Sequence, residues 1–381
     1  MKKILVNYTG RNAGGPAYAY EMTKALVNNG LDVYAVISKH VCNLSDWEEL
    51  PIKLYKIETY NSKVKFLINT IKFILLDRFK LQSELSKQNF DAIYVPMATY
   101  WTGIINRLLK NTPVCYTIHD PVMHSGENIF NRMMFRHYSR DISKANLIVV
   151  LSKKFIDQVV DIYEINKKNI IYIPHGAFWE YKKYSTKHND GLVNYDNNKV
   201  NFLFFGRIEQ YKGLDVLLQA YKKLEREYKH KISLTIAGSG DLTPYYALSK
   251  TLSTVNVVNQ MIPDSEISSL YEGRNVVTVL PYKDATQSGV IPTAQIFKSL
   301  IIASKVGAIP EQLDNGRLGI LVSPGNVNEL YMAMRDVVVS IDSSMYKKMR
   351  YDGYTYVKNL DWDVLGKRLL EGMESVLAKR L

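Results

Sequence analysis

Cysteine is almost absent from this 381-residue chain, which has only Cys42 and Cys115. Two thiols build neither a disulfide framework nor a cysteine-rich metal cluster, so a reducing compartment is the simplest setting. Long apolar runs are missing too. No stretch approaches the ~20 uninterrupted apolar residues that a membrane-spanning helix needs. The opening Met1-Lys-Lys-Ile-Leu-Val-Asn7 carries the charge of a secretory leader but not its apolar centre, because residues 4–6 give way to Asn7. It reads as a first strand, and the protein is expected in the cytoplasm, with access to the inner face of the cell membrane. Zinc-finger spacing, an aromatic RNA-binding signature and a long basic tail are all lacking, so nucleic acid is not an expected partner. Acidic residues are in deficit: 37 Asp and Glu stand against 49 Lys and Arg, a formal net charge of +12. An excess of that size favours other polyanions, namely phosphorylated ligands or an anionic membrane surface.

What is present is ordinary for a globular protein, at 46% hydrophobic and 23% charged residues. The length suits two domains of roughly 150–200 residues. Residues 3–7 form an apolar strand, 9–16 a glycine-rich turn, 17–28 a helix closed by Gly30, and 33–38 a second strand. That is a βαβ unit, the seed of a parallel sheet. Strands at 92–95, 114–118, 147–151 and 170–173 continue one doubly wound domain, and the polar segment 179–199 reads as a linker. Alternation restarts with a strand at 201–205 and a helix at 213–228. Strands follow at 233–237, 255–258, 276–280, 300–304 and 319–322, then helices at 327–340 and 363–379. The expected domains are 1–178 and 179–360, with the helix in 361–381 packing back towards the first.

Two stretches carry candidate chemistry. In Gly206-Arg-Ile-Glu-Gln-Tyr-Lys-Gly213 a strand runs into a glycine, Arg207, then Lys212 before a helix. Gly206 lets the backbone approach a ligand, and the two cations can converge on phosphate oxygens beyond the strand's carboxyl end. A plain strand-to-helix turn with two solvated cations is the competing reading. The second stretch leaves the strand at 276–280 and passes Gln287-Ser-Gly-Val-Ile-Pro292 to reach Gln295. The N–H groups of Gly289, Val290 and Ile291 are expected to be free for an anion, with Ser288 in the same turn. Gln287 and Gln295 could bond sugar and ribose hydroxyls. Polar residues capping a loop and a helix are the alternative.

These motifs resemble the retaining glycosyltransferases of family 4, group 1 type. The residues that carry the likeness are Phe204-Phe-Gly-Arg with Lys212-Gly213, Ile236-Ala-Gly-Ser-Gly240, Leu280-Pro through Gln295, Val306-Gly-Ala-Ile-Pro-Glu311, and Gly319-Ile-Leu-Val-Ser-Pro324. The first half is similar more loosely, through Gly14-Gly15, His119, Leu151-Ser152 and Pro174-His-Gly176. The resemblance implies an α/β fold of two Rossmann-like, doubly wound parallel-sheet domains facing across a cleft, the GT-B fold. It implies transfer of a sugar from a nucleotide-sugar donor to a glycan or lipid-linked acceptor, in cell-surface polysaccharide biosynthesis; peripheral contact with an anionic membrane rests on the positive charge and would suit a lipid-linked acceptor. Arg207 and Lys212 would grip the diphosphate, Gly14 and Gly15 would face donor phosphates and acceptor, and His119 would approach the transferred sugar. No metal or other cofactor is implied. The family's two glutamates are replaced here by Gln287 and Gln295, which keeps hydrogen bonding and removes charge. A sugar-nucleotide epimerase of the same fold and a non-catalytic nucleotide-sugar-binding protein remain as alternatives.

Three further features are ambiguous in sequence. Asp361-Trp-Asp363 has the form of a metal motif but sits where a helix cap belongs. In His119-Asp120, neighbours on an extended segment point opposite ways, against a direct dyad. Residues 62–80 are basic and strongly apolar, suited either to a membrane interface or to packing on the first sheet.

Overall fold

The computed structural model describes every residue except 13, 122–137, 184–191, 194 and 378–381. The middle of the expected linker and the end of the expected final helix therefore lie outside the described residues. The chain divides into two compact units, Met1–Gly176 with Leu360–Leu381, and Ala177–Asn359.

The first unit is built on seven parallel strands: β1 (Lys3–Tyr8), β2 (Asp32–Ser38), β3 (Lys53–Ile57), β4 (Ala92–Val95), β5 (Val114–Ile118), β6 (Leu147–Val150) and β7 (Ile170–Tyr172). Their order is β3-β2-β1-β4-β5-β6-β7. The order reverses direction between β1 and β4, so the loops leaving those two strands diverge and open a crevice at the sheet's carboxyl edge. β3 was not expected, because only one residue of Lys-Leu-Tyr-Lys-Ile, Tyr55, is fully buried on this edge strand. Helix α1 (Gly14–Asn28) starts three residues earlier than the sequence pattern suggests. Pro16 sits in its first turn, where the missing N–H costs nothing, so Gly14 and Gly15 are helical and not part of the preceding loop. Helices α2 (Lys63–Lys72) and α3 (Arg78–Leu85) join through a single π turn, Phe73–Asp77.

The C-terminal helix Trp362–Leu377 belongs to this unit and lies along α1. Gly366 allows the approach, since a β-carbon there would come within 2.7 Å of Ala25 Cβ. Asp361 Oδ1 accepts from the Asp363 N–H at 2.9 Å, and Asp363 Oδ1 accepts from Asn28 at 2.9 Å. The Asp361-Trp-Asp363 carboxylates thus cap a helix and tie it to its neighbour.

The second unit has six parallel strands: β8 (Val200–Phe205), β9 (Ile232–Ala237), β10 (Val255–Val258), β11 (Val276–Leu280), β12 (Leu300–Ser304) and β13 (Ile320–Val322), in the order β10-β9-β8-β11-β12-β13. Its reversal lies between β8 and β11. Helix α4 (Leu214–Tyr228) buries Leu214, Leu217, Leu218, Tyr221 and Leu224 at three- and four-residue spacing. Each such leucine contributes about 1.5–3 kcal/mol. Helix α5 (Val290–Ile296) follows β11, and α6 (Val327–Ser340) packs on α4. An unexpected helix, α7 (Ser344–Val357), packs on α5. Its Gly353 and run of aromatics hide it from a helical pattern. Part of the expected linker is not free: Leu192, Val193 and Tyr195 pack on this unit's core, and the Tyr195 hydroxyl donates to Leu270 O at 2.8 Å.

Candidate functional site

In the second unit the loops after β8 and β11 flank the reversal of strand order. Gly206 ends β8 with φ +121, a region that side chains disfavour. The Lys212 ammonium lies 2.9 Å from the position a β-carbon on Gly206 would take, and Val290 Cγ2 lies 3.9 Å from the same point. One small volume therefore joins the β8 loop, the lysine and the start of α5. Lys212 Nζ also stands over the Tyr282 ring, 5.2 Å from its centroid. Gly213, at φ +67, lets the two loops touch, since a β-carbon there would sit 2.0 Å from Pro281 O. The Lys283 N–H donates to Tyr211 O at 2.7 Å across the same junction. Behind Gly206 stands Gly238, with φ +144, where a β-carbon would meet Gly206 O at 2.0 Å. Only glycine fits these positions.

Arg207 is exposed, and its guanidinium pairs with Glu209 at 2.9 Å. In water such a pair is worth about 0–1 kcal/mol, so a phosphate could displace the carboxylate at little cost. The turn at Ser288 is held rigidly: Gln312 accepts from the Ser288 N–H at 2.9 Å and donates to Ser288 O at 3.0 Å. The expectation of free N–H groups is corrected for two of the three, Val290 and Ile291. Val290 N–H donates to Ser288 Oγ at 3.3 Å, and Ile291 N–H to Ser288 O at 3.4 Å. The Ser288 hydroxyl thus bonds the first residue of α5 from outside the helix, whose N-cap is Gly289.

Three polar side chains around these loops hold buried atoms with no hydrogen-bond partner: the Tyr282 hydroxyl, Gln287 Oε1 and both amide atoms of Gln295. Gln295 is 2% exposed and lies against Gly353 of α7, where a β-carbon would come within 3.3 Å of Gln295 Cγ. Buried polar groups are almost always satisfied, and orphaned ones cost about 1–3 kcal/mol each. All three lie on the segment from the end of β11 through α5, and Tyr282 stands under Lys212, which marks this segment as suited to a polar ligand. Tyr282, Gly238 and Gln312 were not singled out in sequence. Gly238 and Tyr282 lie within quoted motifs, but nothing local sets Gln312 apart.

In the first unit, Gly14 has no atom within 4 Å of a would-be β-carbon, whereas one on Gly15 would strike the Tyr8 hydroxyl at 2.5 Å and Met97 Sδ at 2.9 Å. Packing thus demands glycine at 15, while a β-carbon at 14 would meet open space. His119, just past β5, sits edge-on to Tyr18 at 4.5 Å, and its Nε2 donates to Pro96 O at 2.9 Å. A carbonyl only accepts, so Nε2 carries the proton and Nδ1 is left as an acceptor in the neutral ring. Burial lowers the His119 pKa, against opposing pulls from the Pro96 carbonyl and Asp120. His175 donates from Nδ1 to Gly176 O at 2.8 Å, and burial takes its pKa down to about 4. Gly176 is held beneath Trp362, where a β-carbon would lie 2.4 Å from the indole. No cluster of three or more His, Cys, Asp or Glu suited to a metal occurs among the described residues.

Comparison with known families decides the class. Residues 13–177 match the model of Glycosyltransferase Family 4, and residues 199–339 match that of Glycosyl transferases group 1. The chain belongs to this glycosyltransferase family. The transferase is 25% identical over 318 residues to a D-inositol 3-phosphate glycosyltransferase of Corynebacterium diphtheriae, covering 78% of this chain and 69% of the relative. Its fold is similar to sucrose-phosphate synthase from Thermosynechococcus elongatus, with TM-score 0.75 at 17% identity over the whole of both chains. It is also similar to Anabaena HepE in complex with UDP-glucose, with TM-score 0.74 at 14% identity over 98% of this chain and 100% of the other. At those identities the structures establish the GT-B fold of the transferase and nothing of its specificity.

Proposed function

We propose that the protein moves a sugar, with retention of configuration, from a nucleoside-diphosphate sugar to a glycan or lipid-linked acceptor during cell-surface polysaccharide assembly. The observation that carries this reading is the Lys212 ammonium at Gly206, over the Tyr282 ring whose buried hydroxyl has no partner, with the unpartnered amides of Gln287 and Gln295 further along the same β11–α5 segment. A cation over a glycine turn at the carboxyl edge of a parallel sheet suits a diphosphate. The neighbour in complex with UDP-glucose supports a nucleotide-sugar donor.

The chemistry follows from the charge that develops. As the bond from the sugar's anomeric carbon to the phosphate oxygen breaks, negative charge grows on the departing diphosphate and positive charge on the sugar ring. Lys212, and Arg207 once released from Glu209, oppose the first charge most strongly in the transition state. These two cations supply the neutralisation without a metal. The acceptor hydroxyl attacks the same face, and its proton passes to the departing phosphate oxygen, so no protein base is needed. His119 stays neutral, with Nδ1 as an acceptor for a hydroxyl.

The test is a thermal-shift panel of nucleoside diphosphates and their sugars. Saturation at ~100 times the dissociation constant stabilises by about 2.7 kcal/mol. One base should stand out, and Lys212→Ala should erase its shift. A flat response to every nucleoside diphosphate would overturn the proposal.

A further inference from the structure

The segment α2–π turn–α3 carries two apolar faces, and the first unit uses one of them. On the inner face, Phe66 meets the rings of Tyr60 and Tyr100 at 4.9 and 5.2 Å, and Asn69 donates to Thr59 O at 2.6 Å. Thr70 accepts from the Trp101 indole at 3.0 Å, Phe73 stacks on Trp101 at 4.8 Å, and Leu81 and Leu85 enter the core. These contacts fix the rotation of the helices.

The other face is left in water. Val64, Leu67, Ile68, Ile71, Leu75 and Phe79 are all exposed, from 50% at Ile71 to 70% at Val64. The first four follow the three- and four-residue rhythm of a single helical stripe. The π turn takes one more residue per hydrogen-bonded ring, which rotates later positions back and keeps Leu75 and Phe79 in line. A globular surface seldom leaves a continuous apolar row of this kind without an occupant.

Charge identifies that occupant. Lys65, Lys72 and Lys80 are exposed and recur at seven- and eight-residue spacing along the same segment. The one acid between 62 and 80, Asp77, pairs with Lys72 at 3.5 Å. A two-fold contact between copies would set these lysines against their own images. An anionic bilayer instead takes the apolar row into its acyl boundary and the ammonium groups at its phosphates. We infer that the 64–79 face docks the protein onto an anionic membrane surface. The inference deepens the proposed function and rests on it, because a lipid-borne acceptor is met at that surface.

Flotation with vesicles tests it, using phosphatidylcholine alone and phosphatidylcholine with about one third phosphatidylglycerol. Wild-type protein should float with the anionic vesicles, more weakly as salt is raised, and not with the neutral ones. Leu67→Ser/Leu75→Ser/Phe79→Ser should lower the bound fraction ~tenfold or more. Lys65→Gln/Lys72→Gln/Lys80→Gln should remove the preference for anionic lipid. Both variants alter exposed positions, so melting and the nucleoside-diphosphate thermal shift should stay at wild-type values. Wild type that floats with neither vesicle, or a serine variant that floats like wild type, would overturn the inference. So would sedimentation velocity showing a wild-type dimer that the serine variant dissolves. Failure of flotation with nucleotide binding intact removes docking alone, whereas loss of nucleotide binding strikes the transfer reading.

Discussion

The Lys212 ammonium lies 2.9 Å from the point where a β-carbon on Gly206 would sit, so the glycine keeps open the space in which the cation stands. Alanine at 206 would push the ammonium aside and force a side chain into φ +121. The backbone strain is of order 1–3 kcal/mol, which lowers the melting temperature by about 2–4 °C per kcal/mol in a domain of this size. Gly206→Ala should therefore melt earlier and lose nucleoside-diphosphate affinity even at temperatures where it is fully folded. Calorimetric titration at about 10–15 °C, well below the transition, separates the two effects. Unchanged affinity there would detach Gly206 from the phosphate site.

The two cations differ in their surroundings, and their variants should differ too. Lys212 faces Gly206, Val290 and the Tyr282 ring, whereas Arg207 is exposed and paired with Glu209. Lys212→Ala should lower kcat/KM by ~10²–10³ and shift stability by no more than ~0.5 kcal/mol. Arg207→Ala should act in the same direction. Glu209→Gln, which frees the guanidinium, should leave donor KM unchanged or lower. If Glu209→Gln were as damaging as Arg207→Ala, the arginine would serve the ion pair and not the donor.

Much of this was readable before any coordinates, for physical reasons that also explain the gaps. Strands such as β8 and β11 are buried on both sides, so Val-Asn-Phe-Leu-Phe-Phe and Val-Val-Thr-Val-Leu stand out as apolar runs ending in glycine or proline. Edge strand β3 carries two lysines in five residues and makes no such run. Helix α7 was hidden because Gly353 and several aromatics break its helical pattern, and the side chain that packs over the glycine, Gln295, is distant in sequence. The same non-locality hid the Gln312 clamp on Ser288, twenty-four residues away in sequence. Gly14 and Gly15 were legible as a pair, but it took the fold to show that Tyr8 and Met97 restrict only Gly15.

Acid should destabilise the protein partly through His175. Its folded pKa of about 4 lies below the ordinary imidazole value near 6.5. Between those values the unfolded chain binds more protons, so stability falls as pH drops through the window and the loss is complete below about 4. Burial of the ring near His119, whose pKa is also lowered, sets the sign. The effect is of order 1–3 kcal/mol. Urea midpoints at several pH values between those limits should fall less steeply for His175→Asn than for wild type. Parallel curves for the two proteins would show that the imidazole titrates normally in the folded state.

Gln295 offers the sharpest separation of ligand binding from stability. Both its amide atoms are buried without a partner, and the side chain is enclosed by α7. Leucine has a similar volume and leaves no polar atom to satisfy, so Gln295→Leu should be neutral or stabilising by up to ~1–3 kcal/mol in the ligand-free protein. A structural amide would give the reverse, because removing it would break bonds that hold the fold. The same variant should bind the preferred nucleoside diphosphate about tenfold or more weakly, the loss of a buried hydrogen bond to the ligand. Melting temperature and titration calorimetry on one preparation check both halves. A destabilised variant with wild-type affinity would mean that the amide serves the fold, and that the nucleotide does not reach it.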